Sequence, residues 1–182
     1  MGTIRVYTKQ HRSVLERLQQ EGRYAAKGSE ILRNEDALLM KAGYDWLAQA
    51  LPQAHRPADA DYPVWVSFRA DTTMLPTPDS VLLELEVEES LVTRVNVAKW
   101  GMINNASYLP LDDADARRHE KKMAQLGLSD AKVCMTQFYP ELRREIEESW
   151  VRLFDEGIQP GGPHCYGVLW EVQASWIRKT VC

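Results

Sequence analysis

The sequence predicts an α+β fold with a central, mostly antiparallel sheet of five or six strands and flanking helices. Strand-like segments open the chain, recur in its middle and close it. The helical segments between them differ in length, and the regular βαβα alternation of a doubly wound fold is missing. The chain has 182 residues, of which 45% are hydrophobic, so we expect residues 1–182 to form a single domain.

The first part of the chain predicts one strand followed by two helices. Residues 4–8 alternate apolar and polar side chains and form the first expected strand. Ser13 begins a capping-box pattern, so a helix is expected near it, ending at Gly22. A second helix is expected over residues 34–52, with Asn34 as its N-cap, because apolar residues recur there at helical spacing.

The rest of the chain predicts further strands and three helices. The alternation is clearest at residues 81–87. The other expected strands are residues 63–68, 92–97, 167–172 and 177–181. A short helix is expected at residues 98–105, and a mostly polar helix at residues 112–126 ends at Gly127. Pro140 is expected to open a last helix that ends at Gly157, because proline is favoured at the first helical position.

Charge and cysteine content exclude several classes of protein. Asp and Glu (26) outnumber Lys and Arg (22), and the net charge of −4 is unlike that of nucleic-acid coat proteins. No apolar run approaches the length of a membrane span, and the first residues lack a signal-peptide pattern. The three cysteines lie far apart, so neither a disulfide framework nor a structural zinc site is expected. We expect a cytoplasmic protein with no metal and no membrane partner.

Alternate side chains of a strand point to opposite faces, so each expected strand has an apolar side and a polar side. The polar sides together carry aromatic, hydroxyl, guanidinium, carboxylate and amide groups: Tyr7, Trp65, Ser67, Arg69, Glu84, Glu86, Glu171 and Gln173. Such a set suits a nucleotide or sugar cleft, in which rings stack on a base and donors hold phosphate or ribose. The alternative is an ordinary sheet face in contact with water.

Other sequence motifs give weaker indications of a function. No G-x-S-x-G surrounds Ser67, and neither a Rossmann glycine motif nor a P-loop occurs. His164 and Cys165 are adjacent, but neighbouring residues of a strand point apart, so their role stays open. His119 lies in the polar helix and is interpreted as a surface histidine in contact with solvent. Trp100 either rims a pocket or fills space at the end of the sheet, and we favour the second interpretation.

Several segments along nearly the whole chain form a recognisable pattern. They are Val6-Tyr7-Thr8-Lys9-Gln10, Val14-Leu15-Glu16-Arg17-Leu18, Tyr44-Asp45-Trp46, Tyr62-Pro63-Val64-Trp65, Leu83-Glu84-Leu85-Glu86-Val87, Ser149-Trp150 and Gly167-Val168-Leu169-Trp170-Glu171. This pattern resembles an uncharacterised bacterial family known as a domain of unknown function. That resemblance implies a fold but no activity.

A strand with Tyr7 and Thr8, followed by a helix that ends at a glycine, is similar to the opening of the ADP-ribosyltransferase superfamily. The resemblance implies a related fold and a cleft for NAD, with a protein or nucleic acid as acceptor. It implies that Tyr7 and Thr8 form the first element of the site, Trp65 and Ser67 the second, and Glu171 the late catalytic glutamate. The expected catalytic residues are Glu171, Tyr7 and Ser67, and the expected cofactor-binding residues are Tyr7, Thr8, Trp65, Arg69 and Gln173.

Two functions therefore stand as expectations. One is a nucleotide-cleft enzyme of the ADP-ribosyltransferase type, with NAD as candidate substrate. The other is a non-catalytic module that binds a small molecule or a protein through an aromatic-rich face, because Trp and Tyr are common anchors at interfaces. Trp46, Trp150 and Trp170 are expected in the core, whereas Trp65 falls on the polar side of its strand. The sequence alone does not decide whether the protein is an enzyme.

Overall fold

The structure is a computed structural model that describes residues 2–31, 37–73 and 75–181, with residues 30, 31 and 37–39 described by their backbone only. About 44% of the structure is helix and 25% is strand, which confirms the α+β class. The strands are β1 (Thr3–His11), β2 (Arg23–Tyr24), β3 (Val64–Val66), β4 (Ser80–Glu88), β5 (Thr93–Asn96), β6 (Cys165–Leu169), β7 (Val172–Gln173) and β8 (Ile177–Val181). The helices are α1 (Arg12–Glu21), α2 (Gly28–Ile31), α3 (Ala37–Ala50), α4 (Val97–Asn104), α5 (Asp113–Leu126), α6 (Asp130–Met135) and α7 (Pro140–Ser149).

The chain divides into two compact units. Unit 1 comprises Met1–Ile31, Leu51–Arg94 and Cys165–Cys182, and unit 2 comprises Leu32–Ala50 and Val95–His164. The expectation of a single domain stays a prediction.

The largest sheet of unit 1 has the strand order β1–β4–β8, with antiparallel neighbours. One face of this sheet buries Val6, Leu83 and Leu85 completely, and helix α1 adds its own buried residues to the same core. The other face carries Glu84 and Glu86, which keep part of their exposure. The predicted alternation of β4 is therefore confirmed.

The expectation of one central sheet of five or six strands is wrong. The strands form three small sheets with the orders β1–β4–β8, β2–β7 and β3–β6–β5. β3 has only three residues, and a single bridge between Tyr7 and Ser67 connects β1 to the segment that follows β3. The two backbone hydrogen bonds of that bridge measure 2.8 and 2.7 Å. Ser67 lies just beyond the end of β3, so this isolated bridge does not extend into a ladder and the two sheets stay separate.

The strand expected at residues 167–172 is also interrupted. β6 ends at Leu169, the chain bends at Trp170, and β7 begins only at Val172. Val168 and the two residues after it are all buried, so the end of β6 does not alternate between an apolar side and a polar side. Trp170 donates from Nε1 to Pro52 O at 2.7 Å, which supports its expected place in the core.

Unit 2 is helical; Trp100 and Trp150 are buried, whereas Trp46, expected in the core, is only half-buried. Trp150 is 1% exposed, meets Trp46 edge to face, and donates from Nε1 to Ser107 O at 2.8 Å. Trp100 is buried and meets Tyr44 edge to face at 5.3 Å, which agrees with a space-filling role.

The helix boundaries of unit 2 agree in part with the sequence. Helix α5 begins after the N-cap Asp112 and ends at Gly127, whose φ of 63° is left-handed, as predicted. The expected N-cap Asn34 lies outside the described residues. The helix from Pro140 ends at Ser149 and continues as a 3₁₀ turn, Trp150–Phe154. The buried Lys99 donates from Nζ to backbone oxygens of this turn and of the residue after it, so the helix tightens instead of continuing to residue 157.

No described helix combines the length and the apolar run that crossing a membrane requires. Within the same part of the chain, no group of three or more His, Cys, Asp or Glu side chains is arranged to hold a metal ion.

Candidate functional site

Four of the expected site residues come together where β1 meets the end of β3. Tyr7 and Ser67 are bridge partners, and Thr8 donates from Oγ1 to Trp65 O at 2.8 Å. Thr8 is 2% exposed and also accepts a hydrogen bond from Gln10 Nε2. The hydroxyl of Thr8 therefore connects two strand segments.

The Ser67 hydroxyl is engaged in the turn that follows β3. It is 5% exposed, donates to Arg69 O at 2.7 Å and contacts Thr72 Oγ1. A hydroxyl has one proton to donate, so these local bonds occupy it. Arg69 is exposed and pairs through two nitrogens with Asp71, whose pKa its guanidinium holds below the usual range.

Glu171 and Gln173 lie at the small β2–β7 sheet. Gln173 is in β7 and pairs with Arg23 of β2, and Glu171 precedes β7. Glu171 accepts from Arg23 Nη1 at 3.3 Å and from Gln173 Nε2 at 2.8 Å, and Arg23 also pairs with Asp59. Glu171 is two residues beyond Leu169, the last residue of β6 that pairs with β3, and the bend at residue 170 lies between them. The structure therefore brings Tyr7, Thr8, Trp65 and Ser67 together, whereas Glu171 is hydrogen-bonded to Arg23 and Gln173.

The two glutamates on the polar side of β4 are paired across the sheet. Glu84 lies 3.3 Å from Arg5 and Glu86 lies 2.8 Å from Arg178. The hydrogen bond from Arg178 lowers the pKa of Glu86. Mixed charges in cross-strand pairs are typical of a sheet face in contact with water.

A small cleft of unit 1 lies beside Trp170. Its lining includes Leu51, Leu91 and Val168, and it encloses about 30 Å³, which is room for roughly two water molecules. Binding pockets for small molecules usually enclose several hundred cubic ångströms. This cleft does not accommodate a nucleotide.

Unit 2 holds a denser polar cluster, centred on Asp115 of helix α5. Its Oδ2 accepts from Tyr108 Oη (2.9 Å), Leu111 N (3.0 Å) and Arg152 Nη1 (3.0 Å), and its Oδ1 accepts from Arg118 Nε and Nη2. Burial alone would raise the pKa of this carboxyl. The hydrogen bonds from the Leu111 backbone, Arg118 and Tyr108 outweigh burial and hold the pKa well below its usual range.

His119 belongs to the same cluster, and its interpretation as a solvent-exposed surface histidine is wrong. It is 5% exposed because helix α5 turns this side chain inward, where the Tyr108 ring stacks on the imidazole with centres 4.1 Å apart. Its Nε2 lies 2.7 Å from Asp130 Oδ1, and Asp130 Oδ2 accepts from Tyr108 N at 2.7 Å. His119 Nδ1 is enclosed and has no hydrogen-bond partner among the described residues.

Arg152 completes the cluster. Its Nη1 donates to Tyr108 Oη (3.2 Å), Leu109 O (2.6 Å) and Asp115 Oδ2 (3.0 Å). Its Nε and Nη2 form no hydrogen bond to any residue that the structure describes, and the side chain is 26% exposed. One edge of the guanidinium is thus anchored and the other is open.

A signal for part of this cluster is present in the sequence. His119 lies four residues before Met123, at the spacing that places two side chains on one face of a helix. Met123 is buried, so this periodicity marks His119 as inward-facing. Tyr108 and Arg152 are distant along the chain and carry no such signal.

Cys134 does not offer an activated thiol to the cluster of unit 2. Cys134 and Cys165 are free, and burial raises the pKa of the Cys134 thiol to about 11. A thiol with a raised pKa is a poor nucleophile near neutral pH.

Comparison with known proteins matches the chain to a protein family. A family model described as Domain of unknown function (DUF3841) matches residues 5–178, which span both compact units. No curated protein and no solved structure matches the chain.

Proposed function

We propose, from the premise that this chain belongs to the DUF3841 family, that it binds a small anionic molecule in unit 2. The open edge of Arg152 would hold a carboxylate or phosphate group of the ligand. The observation that carries the proposal is the Arg152 guanidinium, which the described residues anchor through Nη1 alone. The proposal keeps the expected class of a small-molecule-binding module but moves the site away from the aromatic strand face.

Anchoring through one nitrogen orients the whole Arg152 side chain, because a guanidinium is planar and its donors form a rigid fork. Nε and Nη2 lie on one edge of that plane, where two parallel N–H groups match the two oxygens of a carboxylate or phosphate. The three acceptors of Nη1 hold the edge in place before the ligand arrives. Such preorganisation lowers the entropy cost of binding.

The carboxylates of the cluster already have partners. Asp115 is shared between Arg118 and Arg152, and Glu145 is shared between Arg118 and Lys122. Three cations thus share two carboxylates. The remaining carboxylate of the cluster accepts instead from an imidazole and a backbone N–H.

Calorimetric titration of the full chain with phosphate, acetate and NAD tests this proposal. We expect saturable binding of phosphate or acetate that Arg152→Lys weakens at least about tenfold, because lysine keeps the charge but lacks the two-donor edge. Arg144→Lys is the matched control. Arg144 is an exposed arginine paired with Glu141 on helix α7, and its replacement should leave the affinity unchanged.

Two results would contradict the proposal. One is that neither phosphate nor acetate binds in a saturable way. The other is that Arg152→Lys unfolds at the same urea concentration as the wild type and binds with the same affinity, which would locate the anion elsewhere.

A second candidate function is the nucleotide-cleft enzyme of the ADP-ribosyltransferase type in unit 1. It is supported by the bridge between Tyr7 and Ser67, which gathers four residues of the expected NAD site. Labelled NAD, incubated with protein and nucleic-acid acceptors, tests this candidate. Transfer or hydrolysis that is lost in Glu171→Gln supports it, and the absence of both reactions contradicts it.

The proposal also includes a cytoplasmic location and a single cooperative domain. The free thiols Cys134 and Cys165 support a reducing compartment. Unfolding followed by tryptophan fluorescence and by circular dichroism should give coincident transitions if the two units unfold together. Two separate transitions would contradict the single domain, and recovery of the protein outside the cytoplasmic fraction would contradict the location.

A further inference from the structure

One buried nitrogen of the unit 2 cluster lacks a hydrogen bond. His119 is 5% exposed, and its Nδ1 is enclosed without a donor or acceptor from any part of the chain that the structure describes. Buried polar atoms are nearly always paired in folded proteins, because an unpaired one loses its bonds to water without replacement. This nitrogen therefore points to a group that pairs with it.

Asp130 and Tyr108 determine the orientation of the His119 imidazole, and Asp130 also determines that Nε2 carries a proton. Asp130 Oδ1 lies 2.7 Å from Nε2, and its second oxygen is held by the Tyr108 backbone N–H. The Tyr108 ring lies almost parallel to the imidazole, at an angle of 9°. A carboxylate only accepts hydrogen bonds, so Nε2 carries a proton, and in the neutral imidazole Nδ1 then presents a lone pair.

The Tyr108 side chain contacts both the His119 imidazole and the Arg152 guanidinium. The centre of its ring lies 4.1 Å from the centre of the His119 ring and 5.3 Å from Arg152 Cζ. Its hydroxyl also accepts a hydrogen bond from Arg152 Nη1. The unpaired imidazole and the partly unpaired guanidinium therefore contact the same side chain.

Building on the proposed anion binding at Arg152, we infer that the ligand also donates a hydrogen bond to His119 Nδ1. The ligand class is then a small carboxylate or phosphate that carries a hydroxyl group. A hydroxyl is favoured over an ammonium because burying a neutral donor costs far less than burying a charge.

A hydrogen bond from the ligand to Nδ1 should make binding selective for hydroxylated anions. A ligand that lacks the hydroxyl leaves Nδ1 unpaired, and sites built around a hydrogen bond discriminate strongly against such analogues. We expect a preference of at least about tenfold for the hydroxylated member of a matched pair. Because Nδ1 is enclosed, a neighbouring side chain must move before the donor reaches it, so association should be slower than diffusion.

Titration of the full chain with two matched pairs of small anions measures this preference. The pairs are lactate against propionate, and glycerol 3-phosphate against propyl phosphate. We expect the hydroxylated member of at least one pair to bind the wild type at least about tenfold more tightly. His119→Phe keeps a ring against Tyr108 but has no nitrogen, so the preference should disappear. His164→Phe, the same change at an exposed histidine of unit 2, is the matched control and should keep it.

Nitrogen-15 NMR of the wild type with labelled histidine gives a test that does not depend on the folding of a variant. We expect His119 in the tautomer with the proton on Nε2, and a change in the Nδ1 resonance when the hydroxylated anion is added but not when its partner is added. The opposite tautomer in the free protein would overturn the inference.

The possible results distinguish the hydroxyl donor to His119 from anion binding at Arg152. Equal affinity for both members of each pair, with binding still weakened in Arg152→Lys, would overturn the hydroxyl donor and leave anion binding in place. Failure of all four compounds to bind would overturn both.

Discussion

The polar clusters of unit 1 and unit 2 differ in what their hydrogen bonds leave unpaired. In unit 1 the hydroxyls of Thr8 and Ser67 donate to backbone carbonyls of neighbouring segments. In unit 2, Arg152 keeps an open edge and His119 keeps an unpaired nitrogen, neither with a partner in the described ranges. A concentration of polar residues is therefore not sufficient to identify a site. Donors and acceptors left over after folding are the better guide, because they are available to a ligand.

Replacing Asp115 by Ala should produce the largest loss of stability. The change removes the acceptor of five hydrogen bonds and leaves Arg118 and Arg152 without their shared carboxylate. We expect the free energy of unfolding in urea to fall by about 3 kcal/mol. Asp113→Ala, at an exposed position of the same helix, should change it by less than about 0.5 kcal/mol. Equal losses in the two variants would show that the Asp115 bonds contribute nothing specific.

Replacing Gly167 by Ala tests how tightly unit 1 is packed. A Cβ at this position would lie 2.6 Å from Val92 Cγ1 and 2.8 Å from Val66 Cγ2, in the core between β3 and β6. We expect a loss of about 2 kcal/mol in the free energy of unfolding. Gly101→Ala in helix α4 meets nothing within 4 Å and should stabilise the protein by up to about 1 kcal/mol. A neutral Gly167→Ala would mean that this core is looser than described.

Acid should weaken the unit 2 cluster through Asp115. Its pKa is lowered in the folded protein, so its contribution is fully present above the ordinary value of 3.8 and is lost as the pH falls further. We expect the free energy of unfolding to fall more steeply in the wild type than in Asp115→Asn between about pH 5 and pH 2, because asparagine does not titrate. Parallel pH profiles of the two proteins would contradict this role.

Thr8→Val is the smallest expected change and tests the structural role of the unit 1 cluster. Valine keeps the shape but removes the donor to Trp65 O and the acceptor of Gln10. We expect a loss of about 1 kcal/mol in thermal or urea unfolding. Thr180→Val on the exposed side of β8 is the control. Anion binding should be unaffected in both proteins, and a loss of binding in Thr8→Val would link this cluster to the ligand.

Local patterns were sufficient for the regular elements. The alternation at residues 81–87 predicted β4 and its buried side, and capping and glycine signals predicted the ends of helix α5. They were not sufficient for the strand at residues 167–172, because its interruption at Trp170 accompanies a tertiary hydrogen bond to Pro52. The short helix α6 was not predicted, since six residues provide too little periodicity to recognise.

Local sequence patterns also predicted only part of the candidate site. The sequence identified Tyr7 and Ser67 as members of one polar set, and the structure makes them bridge partners. It interpreted His119 as a surface residue, although its spacing to the buried Met123 marks the inward face.

By itself the sequence determined the fold class, the alternating strands of the first sheet and most helix ends, because these depend on neighbours a few residues apart. Only the tertiary structure decided that the strands divide into three sheets and that Asp115 and His119 share a cluster with Tyr108 and Arg152. Those outcomes depend on which distant groups satisfy each buried donor and acceptor, and spacing along one segment does not encode that pairing.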